Sequence, residues 1–332
     1  MKIAFFELEK WEEDYIKDKL KIRDLYFYKE PLNAKNKDKI NDADIIVCFI
    51  YSELKSNVLD KLSNLKFITT MSTGFDHIDL KYCKEKGIRV SNVPSYGENT
   101  VAEHAFGLIL TLSRKLDKAI NQTKHDDFSL KGLMGFDLKG KTLGVVGAGH
   151  IGQHVIKMAK GFDMKVIAYS VNQDKKLSKE FGFEWASFND LLKKSDIITF
   201  HVPLTPETRH MINMGNIKKI KKGAYLINTA RGEIIETQAL LYGLDKDILA
   251  GAGLDVLEGE ENVKEERALL SKKKDERDWK TFLQNHVLLK DKDVIITPHC
   301  AFDTKEALQR ILDTTVENIK SFTKGNMMNS VY

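Results

Sequence analysis

The chain has 332 residues, 42% of them hydrophobic, which is enough to build two ordinary domains with cores of their own. Its 52 Lys and Arg nearly balance 48 Asp and Glu and form no basic arm, which disfavours a nucleic-acid partner. Three cysteines without a CxxC pair indicate a reducing compartment. Without a signal-peptide pattern or a long apolar run, the sequence predicts a cytoplasmic protein with no membrane partner.

Short apolar runs alternate with amphipathic stretches along most of the chain. In the first hundred residues the runs are KIAFF, ADIIVCFI, LKFITTM and IRVSNV. Farther on they are KTLGVVG, MKVIAY, SDIITFHV, GAYLINT, ILAGAGLDV and DVIITPH. Continuous β-branched runs with helices between them are typical of parallel sheets that are covered on both faces. The sequence therefore predicts an α/β fold with two doubly wound parallel-sheet domains.

Three further segments bear on how these domains are connected. A long helical pattern at residues 98–122 follows the turn-like SNVPSYG, and we expect one helix that carries the chain from the first sheet into the second. No strand follows the last apolar helix, residues 303–322, so this helix is free to return and cover the first domain. The charged segment 258–286 is interpreted as a surface excursion, with a lid or the edge of a cofactor site as the alternative.

A glycine-rich segment, GAGHIG at residues 147–152, lies between a predicted strand and an amphipathic helix. In such a loop Gly147 permits the tight turn, Gly149 lets a pyrophosphate approach the backbone, and Gly152 lets the helix pack close to the strand. The start of the helix then presents free N–H groups and a partial positive charge to the phosphates. The segment therefore predicts a dinucleotide site, in which His150 has no catalytic role.

The residue after the second strand of this unit is Ser170, where an Asp or Glu commonly holds the adenosine ribose. A serine can still bond a ribose hydroxyl, but it does not repel a 2′-phosphate. Lys175 and Lys176 follow a few residues later and could meet such a phosphate. The sequence therefore leaves both NAD and NADP open as the cofactor.

Polar side chains follow three of the later predicted strands. They are Arg231 in INTARGE, Asp255 with Glu258 and Glu260 in GAGLDVLEGE, and His299 in VIITPHCAF. Because the carboxyl ends of parallel strands form the ligand crevice of an open α/β sheet, we expect these groups to act on one substrate. Arg offers a fork for a carboxylate or a carbonyl oxygen, and a His held by a carboxylate can pass a proton near neutral pH. This set suits the reduction of a 2-oxo acid.

Seven segments form an ordered set along nearly the whole chain: STGFDHID, NVPSYGENTVAEHA, GKTLGVVGAGHIG, HVPLTPETRHMIN, INTARGEIIE, AGAGLDVLEGE and TPHCAF. This set resembles the D-isomer-specific 2-hydroxyacid dehydrogenases. Within that family the chain is most similar to the D-lactate dehydrogenase branch, because of LDVLEGEE, the insertion after it and Phe302.

The resemblance implies a fold and an assembly. A discontinuous flavodoxin-like substrate domain, residues 1–98 plus 300–332, would accompany a Rossmann dinucleotide-binding domain, residues 99–299. The chain would be a homodimer through the cofactor domain, using the long helix that starts near Glu98.

The resemblance also implies roles for individual residues. His299 would donate the proton in reduction, and Arg231 would clamp the substrate carboxylate and polarise the carbonyl. Glu260 would hold His299, since Glu260 rather than Glu258 lies 29 residues after Arg231, the family's usual separation. The substrate-binding residues would be Thr73, Gly74, Tyr96 and Phe302, with backbone N–H groups of the first two on the carboxylate. The cofactor-binding residues would be Val101, Gly147, Gly149, His150, Ile151, Gly152, Ser170, His201, Val202, Pro203, Thr229, Ala230 and Asp255, the last at the nicotinamide carboxamide.

The substrate is expected to be pyruvate or a close 2-oxo acid, with NAD as the cofactor, NADP possible and no metal. Two alternatives remain: a glyoxylate or hydroxypyruvate reductase, and a dinucleotide-sensing scaffold like the corepressors of this fold. Cys300, beside His299, is interpreted as a packing residue, with oxidation sensitivity of the site as the other possibility.

Overall fold

A computed structural model of the chain describes residues 1–260 and 276–332, with only the backbone described at 276–278. Most of the charged segment 258–286 therefore lies outside the described residues. The chain divides into two compact units, Met1–Tyr96 with Thr304–Tyr332, and Gly97–Asp303. Within the described ranges no helix combines the length and the apolar character that crossing a bilayer requires.

Strands and helices alternate along most of the chain. The strands are β1 (Ile3–Phe6), β2 (Leu25–Tyr28), β3 (Ile45–Cys48), β4 (Phe67–Thr70), β5 (Arg89–Ser91), β6 (Thr142–Val146), β7 (Lys165–Tyr169), β8 (Glu184–Trp185), β9 (Ile197–Phe200), β10 (Ala224–Asn228), β11 (Leu249–Leu254) and β12 (Val294–Ile296). The helices are α1 (Lys10–Leu20), α2 (Ser56–Leu59), α3 (Leu80–Glu85), α4 (Glu98–Arg114), α5 (Leu116–Lys124), α6 (His150–Gly161), α7 (Lys175–Phe181), α8 (Phe188–Lys194), α9 (Thr237–Asp245), α10 (Glu276–Leu288) and α11 (Lys305–Thr323).

The first unit is built on a five-stranded parallel sheet with the order β2-β1-β3-β4-β5. This is the flavodoxin-like order, in which ligands bind where the strand order reverses. The predicted strands β1, β3 and β4 are completely buried, as expected for strands made of apolar and β-branched residues. The sequence did not predict β2, because this edge strand is only partly buried and its LYFY sequence has no β-branched run.

The last helix, α11, packs on this same sheet. Phe322 stacks on Phe67 of β4 with ring centroids 4.4 Å apart, and the Tyr15 hydroxyl of α1 donates to Asp313 Oδ1 at 2.7 Å. The segment after α11 then forms an antiparallel bridge between Ser330 and Ser91 of β5. The end of the chain is thereby tied to the edge of the first sheet.

The second unit is built on a seven-stranded parallel sheet with the order β12-β11-β10-β9-β6-β7-β8. Residues that alternate along the strands enter two separate clusters: Leu143 and Val145 of β6 join one, and Val146 joins the other. Helices α4 and α6 contribute to the first cluster, and α8 and α9 contribute to the second. This is a Rossmann-type sheet covered on both faces, so the predicted fold class is confirmed.

The prediction of one helix at residues 98–122 is wrong, because the chain breaks between α4 and α5. Lys115 adopts the left-handed conformation with φ of 50°, although no Pro or Gly marks the break. The Phe136 N–H donates to the Ser113 carbonyl at 2.9 Å, and a Cβ at Gly135 would overlap that same carbonyl. A loop distant in sequence therefore takes the carbonyl that would otherwise continue the helix.

Candidate active site

The phosphate loop joins β6 to α6 in the second unit. Gly147 has φ of 95°, its N–H donates to the Tyr169 carbonyl at 2.8 Å, and a Cβ there would lie 2.5 Å from the His201 carbonyl oxygen. A Cβ at Gly152 would overlap the carbonyl group of Gly147. The protein itself therefore requires glycine at both positions, as the sequence reasoning supposed.

Gly149 differs from these two glycines. Its φ of −73° suits any residue, and a Cβ there would meet no described atom within 4 Å. Packing of the chain therefore does not explain a glycine at this position. A pyrophosphate lying against the backbone at the start of α6, whose first residues are His150 and Ile151, would explain it.

Two buried polar atoms near this edge of the sheet fit a bound dinucleotide. His201 follows β9, the neighbour of β6, and its Nε2 lies 2.9 Å from Thr199 Oγ1. Its Nδ1 and the Thr229 Oγ1 are buried without a hydrogen-bond partner among the described residues. Burial lowers the pKa of His201 to about 3, so the ring is neutral at physiological pH. The residues present therefore fit NAD, whose polar groups would give these two atoms hydrogen-bond partners.

Ser170 is already engaged with the phosphate loop. Its Oγ accepts a hydrogen bond from the Ala148 N–H at 2.9 Å, which leaves the hydroxyl hydrogen as a donor. Lys175 and Lys176 are exposed at the start of α7. The Asp174 carboxylate caps that helix by accepting from the Lys176 N–H at 2.7 Å. The end of β7 therefore offers a donor, where an acidic residue would offer only acceptors.

The remaining cofactor candidates lie along the same unit. Val202 packs beside Gly147, because its Cγ1 would lie only 2.7 Å from a Cβ added at Gly147. The carbonyl of the next residue, Pro203, accepts from the Thr208 hydroxyl at 2.6 Å. Val101, in the first turn of α4, is half-buried, and its N–H donates to the Gly97 carbonyl at 2.8 Å.

Arg231 lies in a tight loop after β10 that the side chain of Asn228 organises. Asn228 Oδ1 accepts from the Ala230 N–H at 3.1 Å, and Asn228 Nδ2 donates to the Arg231 carbonyl at 2.8 Å. A Cβ at Gly232 would overlap the backbone of Leu257. The loop that carries Arg231 therefore packs directly against the loop after β11, which carries Glu258 and Glu260.

The structure brings His299 and Glu260 into contact. His299 Nδ1 lies 2.6 Å from Glu260 Oε1, and both side chains are partly exposed. Because an ionised carboxylate only accepts, Nδ1 carries the proton and Nε2 is left for other partners. The strands β10, β11 and β12, which precede Arg231, Glu260 and His299, are neighbours in the sheet.

Glu258, the other acidic candidate, has different partners. Its Oε1 lies 2.7 Å from His210 Nε2, and its Oε2 accepts from the N–H and the hydroxyl of Thr237 at 3.0 and 2.8 Å. Burial by itself raises the pKa of Glu258, but these hydrogen bonds outweigh it, and the pKa lies below its ordinary value. Glu258 therefore anchors the start of α9.

Asp255 is 1% exposed and binds the loop that carries His299. Its Oδ1 accepts from the Thr297 hydroxyl at 2.5 Å and from the Cys300 N–H at 3.0 Å, and its Oδ2 accepts from the Ala301 N–H at 2.9 Å. Burial raises the pKa of Asp255, but hydrogen bonds led by the one from His104 more than offset this, so that the pKa is lowered.

These contacts give Asp255 a role that the sequence did not predict. His299 has φ of 57°, a conformation that costs a non-glycine residue about 1–3 kcal/mol. The hydrogen bonds to Asp255 on both sides of His299 hold this conformation. The expected contact of Asp255 with the nicotinamide carboxamide stays a prediction.

Cys300 is half-buried beside these groups. Burial raises the pKa of its thiol, and the charge of Asp255 adds to this effect. Because the thiolate is the reactive form, the environment favours an inert packing role for Cys300.

We expect the acid sensitivity of the fold to come in part from Glu258 and Asp255. Folding lowers the pKa of both carboxyls, so the unfolded chain binds protons more readily than the folded one. Their stabilisation is complete above the ordinary range near pH 4 and is lost as the pH falls through the lower folded pKa. Denaturant melts at pH 7 and at decreasing pH should show Glu258→Gln destabilised by about 1–3 kcal/mol at pH 7, with a smaller further loss in acid than wild type. Parallel pH curves for the two proteins would contradict this account.

In the first unit, the predicted substrate residues Thr73 and Gly74 follow β4. Their backbone N–H groups donate to no acceptor among residues 1–260 and 276–332. Tyr96 is half-buried, and its carbonyl accepts from Arg310 Nε on α11 at 2.6 Å. Phe302, in the second unit, is also half-buried. The free N–H groups suit an anionic ligand.

Four polar residues that support these loops were not predicted from the sequence: Asn92, His104, Asn228 and Thr297. Each lies in or beside a quoted motif or strand, but a polar residue in a loop is usually solvated. Only the contacts in three dimensions distinguish these four residues from that common case.

The phosphate loop lies where the strand order of a Rossmann sheet reverses, and buried polar atoms nearby fit a dinucleotide. These features are typical of the NAD-dependent oxidoreductases, and the chain is one of them. The family model for the NAD binding domain of the D-isomer specific 2-hydroxyacid dehydrogenases matches residues 106–301, more than half of the chain. The chain belongs to this family, whose NAD-dependent members include D-lactate dehydrogenases.

Relatives that match over most of their length support this family assignment. The D-lactate dehydrogenase of Escherichia coli is 33% identical, with 98% of each chain covered. A glyoxylate reductase of Thermococcus litoralis is 34% identical, with 97% of this chain and 89% of the relative covered. The crystal structure of the Aquifex aeolicus D-lactate dehydrogenase with NAD and lactic acid has a TM-score of 0.85 and 39% identity, covering 98% of this chain and 96% of the other.

Proposed function

We propose that the chain reduces a small 2-oxo acid, with pyruvate as the preferred substrate, to the D-2-hydroxy acid. The contact between His299 Nδ1 and Glu260 carries this proposal, because it supplies an oriented proton donor at the strand ends of the same sheet that carries the phosphate loop. The D-lactate dehydrogenases of Escherichia coli and Aquifex aeolicus support pyruvate as the substrate.

The proton chemistry follows from the orientation of the imidazole ring. With Nδ1–H bonded to Glu260, the Nε2–H of a protonated His299 is the group that donates to the carbonyl oxygen of the substrate. The carboxylate of Glu260 stabilises the positive imidazolium before the transfer and fixes the tautomer after it. In the oxidation direction the same Nε2 accepts the proton of the hydroxyl. Bound NADH supplies the hydride.

Cationic and backbone N–H donors of the protein are suited to bind the substrate carboxylate. In the second unit, Arg231 presents a planar fork that suits carboxylate and carbonyl oxygens. In the first unit, the free N–H groups of Thr73 and Gly74 suit a carboxylate. Tyr96 and Phe302 add aromatic surface that favours a short side chain on the substrate.

We assign cofactor binding to the unit Gly97–Asp303 and substrate binding to the unit Met1–Tyr96 with Thr304–Tyr332. The family-model match at 106–301 supports the first assignment. Within the cofactor unit, Phe128, Leu130 and Met134 are 79%, 85% and 88% exposed in the segment after α5. Apolar side chains so exposed favour burial against a second copy of the chain, which supports the expected homodimer.

A glyoxylate or hydroxypyruvate reductase is the second candidate. The observation that favours it is the similarity of the chain to the Thermococcus litoralis glyoxylate reductase, which is as high as its similarity to the D-lactate dehydrogenase of Escherichia coli. The pairing of His299 with Glu260 argues against a scaffold without activity, since a scaffold has no need of an oriented proton donor.

Cofactor oxidation with pyruvate, glyoxylate and hydroxypyruvate tests these proposals. We expect the highest kcat/KM for pyruvate, and we expect the product to be oxidised again by an enzyme specific for D-lactate. A higher kcat/KM for glyoxylate or hydroxypyruvate would move the assignment to the second candidate. If none of the three acids is turned over with either NADH or NADPH, the proposed function is wrong.

A further inference from the structure

The loop after β4 has its carbonyl groups held by neighbouring segments of the first unit. The Ser72 carbonyl accepts from the Val93 N–H at 3.0 Å, and the Thr73 carbonyl accepts from Asn92 Nδ2 at 2.8 Å. The Gly74 carbonyl accepts from the Ser72 hydroxyl at 2.6 Å. Two of these three bonds come from the same short segment after β5, so two successive carbonyls point towards that segment.

The direction of the carbonyls fixes the direction of the N–H groups. In a planar trans peptide the C=O and the N–H point in opposite directions. The Thr73 N–H belongs to the peptide whose oxygen faces Val93, and the Gly74 N–H belongs to the peptide whose oxygen faces Asn92. Both N–H groups therefore point away from the segment after β5, on the side where they donate to no described acceptor. Two adjacent free N–H groups on one side of a loop suit an anionic oxygen pair.

Asn92 is well fixed for this task. Asn92 is 9% exposed, its backbone N–H donates to the Asn329 carbonyl at 3.1 Å, and its backbone carbonyl accepts from Asn318 Nδ2 at 2.9 Å. Asn318 in turn accepts from Asn329 Nδ2 at 2.9 Å. Helix α11 and the last residues of the chain thus hold the residue whose amide holds the Thr73 carbonyl.

We propose that Asn92 is a positioning residue, which aims the Gly74 N–H at the substrate carboxylate by holding the Thr73 carbonyl. The inference rests on the proposed function, since it takes the carboxylate of a 2-oxo acid as the ligand of the loop. An amide suits this position, because it donates to the carbonyl and carries no charge. A carboxylate in its place would repel the Thr73 carbonyl and would add a negative charge close to the anionic ligand.

The role predicts a defined kinetic change. The N–H groups bond the carboxylate equally in the bound substrate and in the transition state, because the carboxylate does not react. Loss of such uniform binding raises KM and leaves kcat nearly unchanged. A residue that only stabilised the fold would change the melting temperature without this division between KM and kcat.

The experiment compares Asn92→Asp and Asn92→Ala with wild type, using pyruvate as the substrate and oxamate as a carboxylate inhibitor that does not react. We expect KM and the oxamate inhibition constant to rise together, by about tenfold for Asn92→Ala and by about thirtyfold or more for Asn92→Asp, with kcat within about threefold. The dissociation constant for NADH should stay unchanged. If Asn92→Asp does not fold, Asn92→Ala carries the test, because it removes the donor without adding a charge.

Asn36→Asp is the matched control. Asn36 lies in the same unit and makes the same kind of bond, from Nδ2 to the Pro31 carbonyl at 2.9 Å, in a different loop. It should leave KM unchanged. Unchanged KM and oxamate inhibition in folded Asn92→Ala, or an equal rise in Asn36→Asp, would overturn the inference while the wild-type enzyme still turns over pyruvate. If the wild type turns over none of the three 2-oxo acids, the proposed function itself fails.

Discussion

Replacement of His299 by glutamine should lower kcat for pyruvate reduction by about a thousandfold and leave the dissociation constant for NADH within about twofold. Glutamine retains a polar side chain of similar reach but can neither carry nor release a proton at neutral pH. The phosphate loop, His201 and Thr229 follow other strands of the sheet, so we expect cofactor binding to survive the substitution. Steady-state oxidation of NADH at saturating pyruvate measures kcat, and a fluorescence titration with NADH measures the dissociation constant.

The two nearby glutamates provide a matched pair of controls. Glu260→Gln should lower kcat by about a hundredfold, because an amide holds the imidazole without stabilising its positive charge. Glu258→Gln makes the same chemical change two residues away, where the carboxylate contacts His210 and Thr237, and it should reduce stability but keep kcat. A larger loss of kcat in Glu258→Gln than in Glu260→Gln would contradict the assigned roles. Turnover that survives in His299→Gln would remove His299 as the proton donor.

The strands that the sequence predicts are those whose burial leaves a simple pattern. Strands such as β1 and β3 are buried along their whole length and every residue is apolar, so the run is visible without any partner. The edge strands β2 and β8 are partly exposed and short or aromatic, so their sequences carry no such pattern. The helix breaks at Lys115, where the Phe136 N–H donates to the Ser113 carbonyl, and no local sequence rule contains this long-range bond.

The candidate site shows the same division. The glycine loop is local, and three of its residues could be interpreted one by one from their sequence. The choice between Glu258 and Glu260 could not be made from residue types, because both are glutamates in one loop; it needed the family resemblance, and the structure places Glu260 beside His299. The hydrogen bonds by which Asp255 supports the His299 loop include one to Ala301, 46 positions away in the sequence, so sequence patterns could not predict this role.

The backbone of His299 is strained, and two carboxylates hold this residue in place. Its left-handed backbone costs free energy, and the loop keeps this conformation because the buried Asp255 holds Thr297 before it and Cys300 and Ala301 after it. The imidazole is then held from its other side by Glu260. Two carboxylates therefore orient one histidine, one through the backbone and one through the ring, and this arrangement is more than a solvated surface histidine would need.

Replacement of Ser170 by aspartate should raise the preference for NADH over NADPH, measured as the ratio of kcat/KM, by about a hundredfold. In the wild type the Ser170 oxygen accepts from the Ala148 N–H, and its hydroxyl is left as a donor, so Ser170 itself brings no negative charge against a 2′-phosphate. We therefore expect wild type to use NADPH within about tenfold of NADH, since a single hydroxyl discriminates weakly. Aspartate can accept the same Ala148 N–H and accept from the ribose hydroxyls as well, while its charge repels the phosphate.

Ser178→Asp separates this effect from the simple addition of a charge to the cofactor unit. Ser178 lies on α7, where its hydroxyl donates to the Lys175 carbonyl at 3.1 Å, and the substitution should leave the cofactor ratio near the wild-type value. Lys175→Ala with Lys176→Ala then measures whether the two lysines add to NADPH binding, which would appear as a further loss with NADPH alone. A strong preference of the wild type for NADH that Ser170→Asp does not change would show that the ribose does not bind at Ser170. The same strong preference with a large response to Ser170→Asp would instead show that another group already excludes the 2′-phosphate, and Asp174, four residues later, is the nearest carboxylate in the sequence.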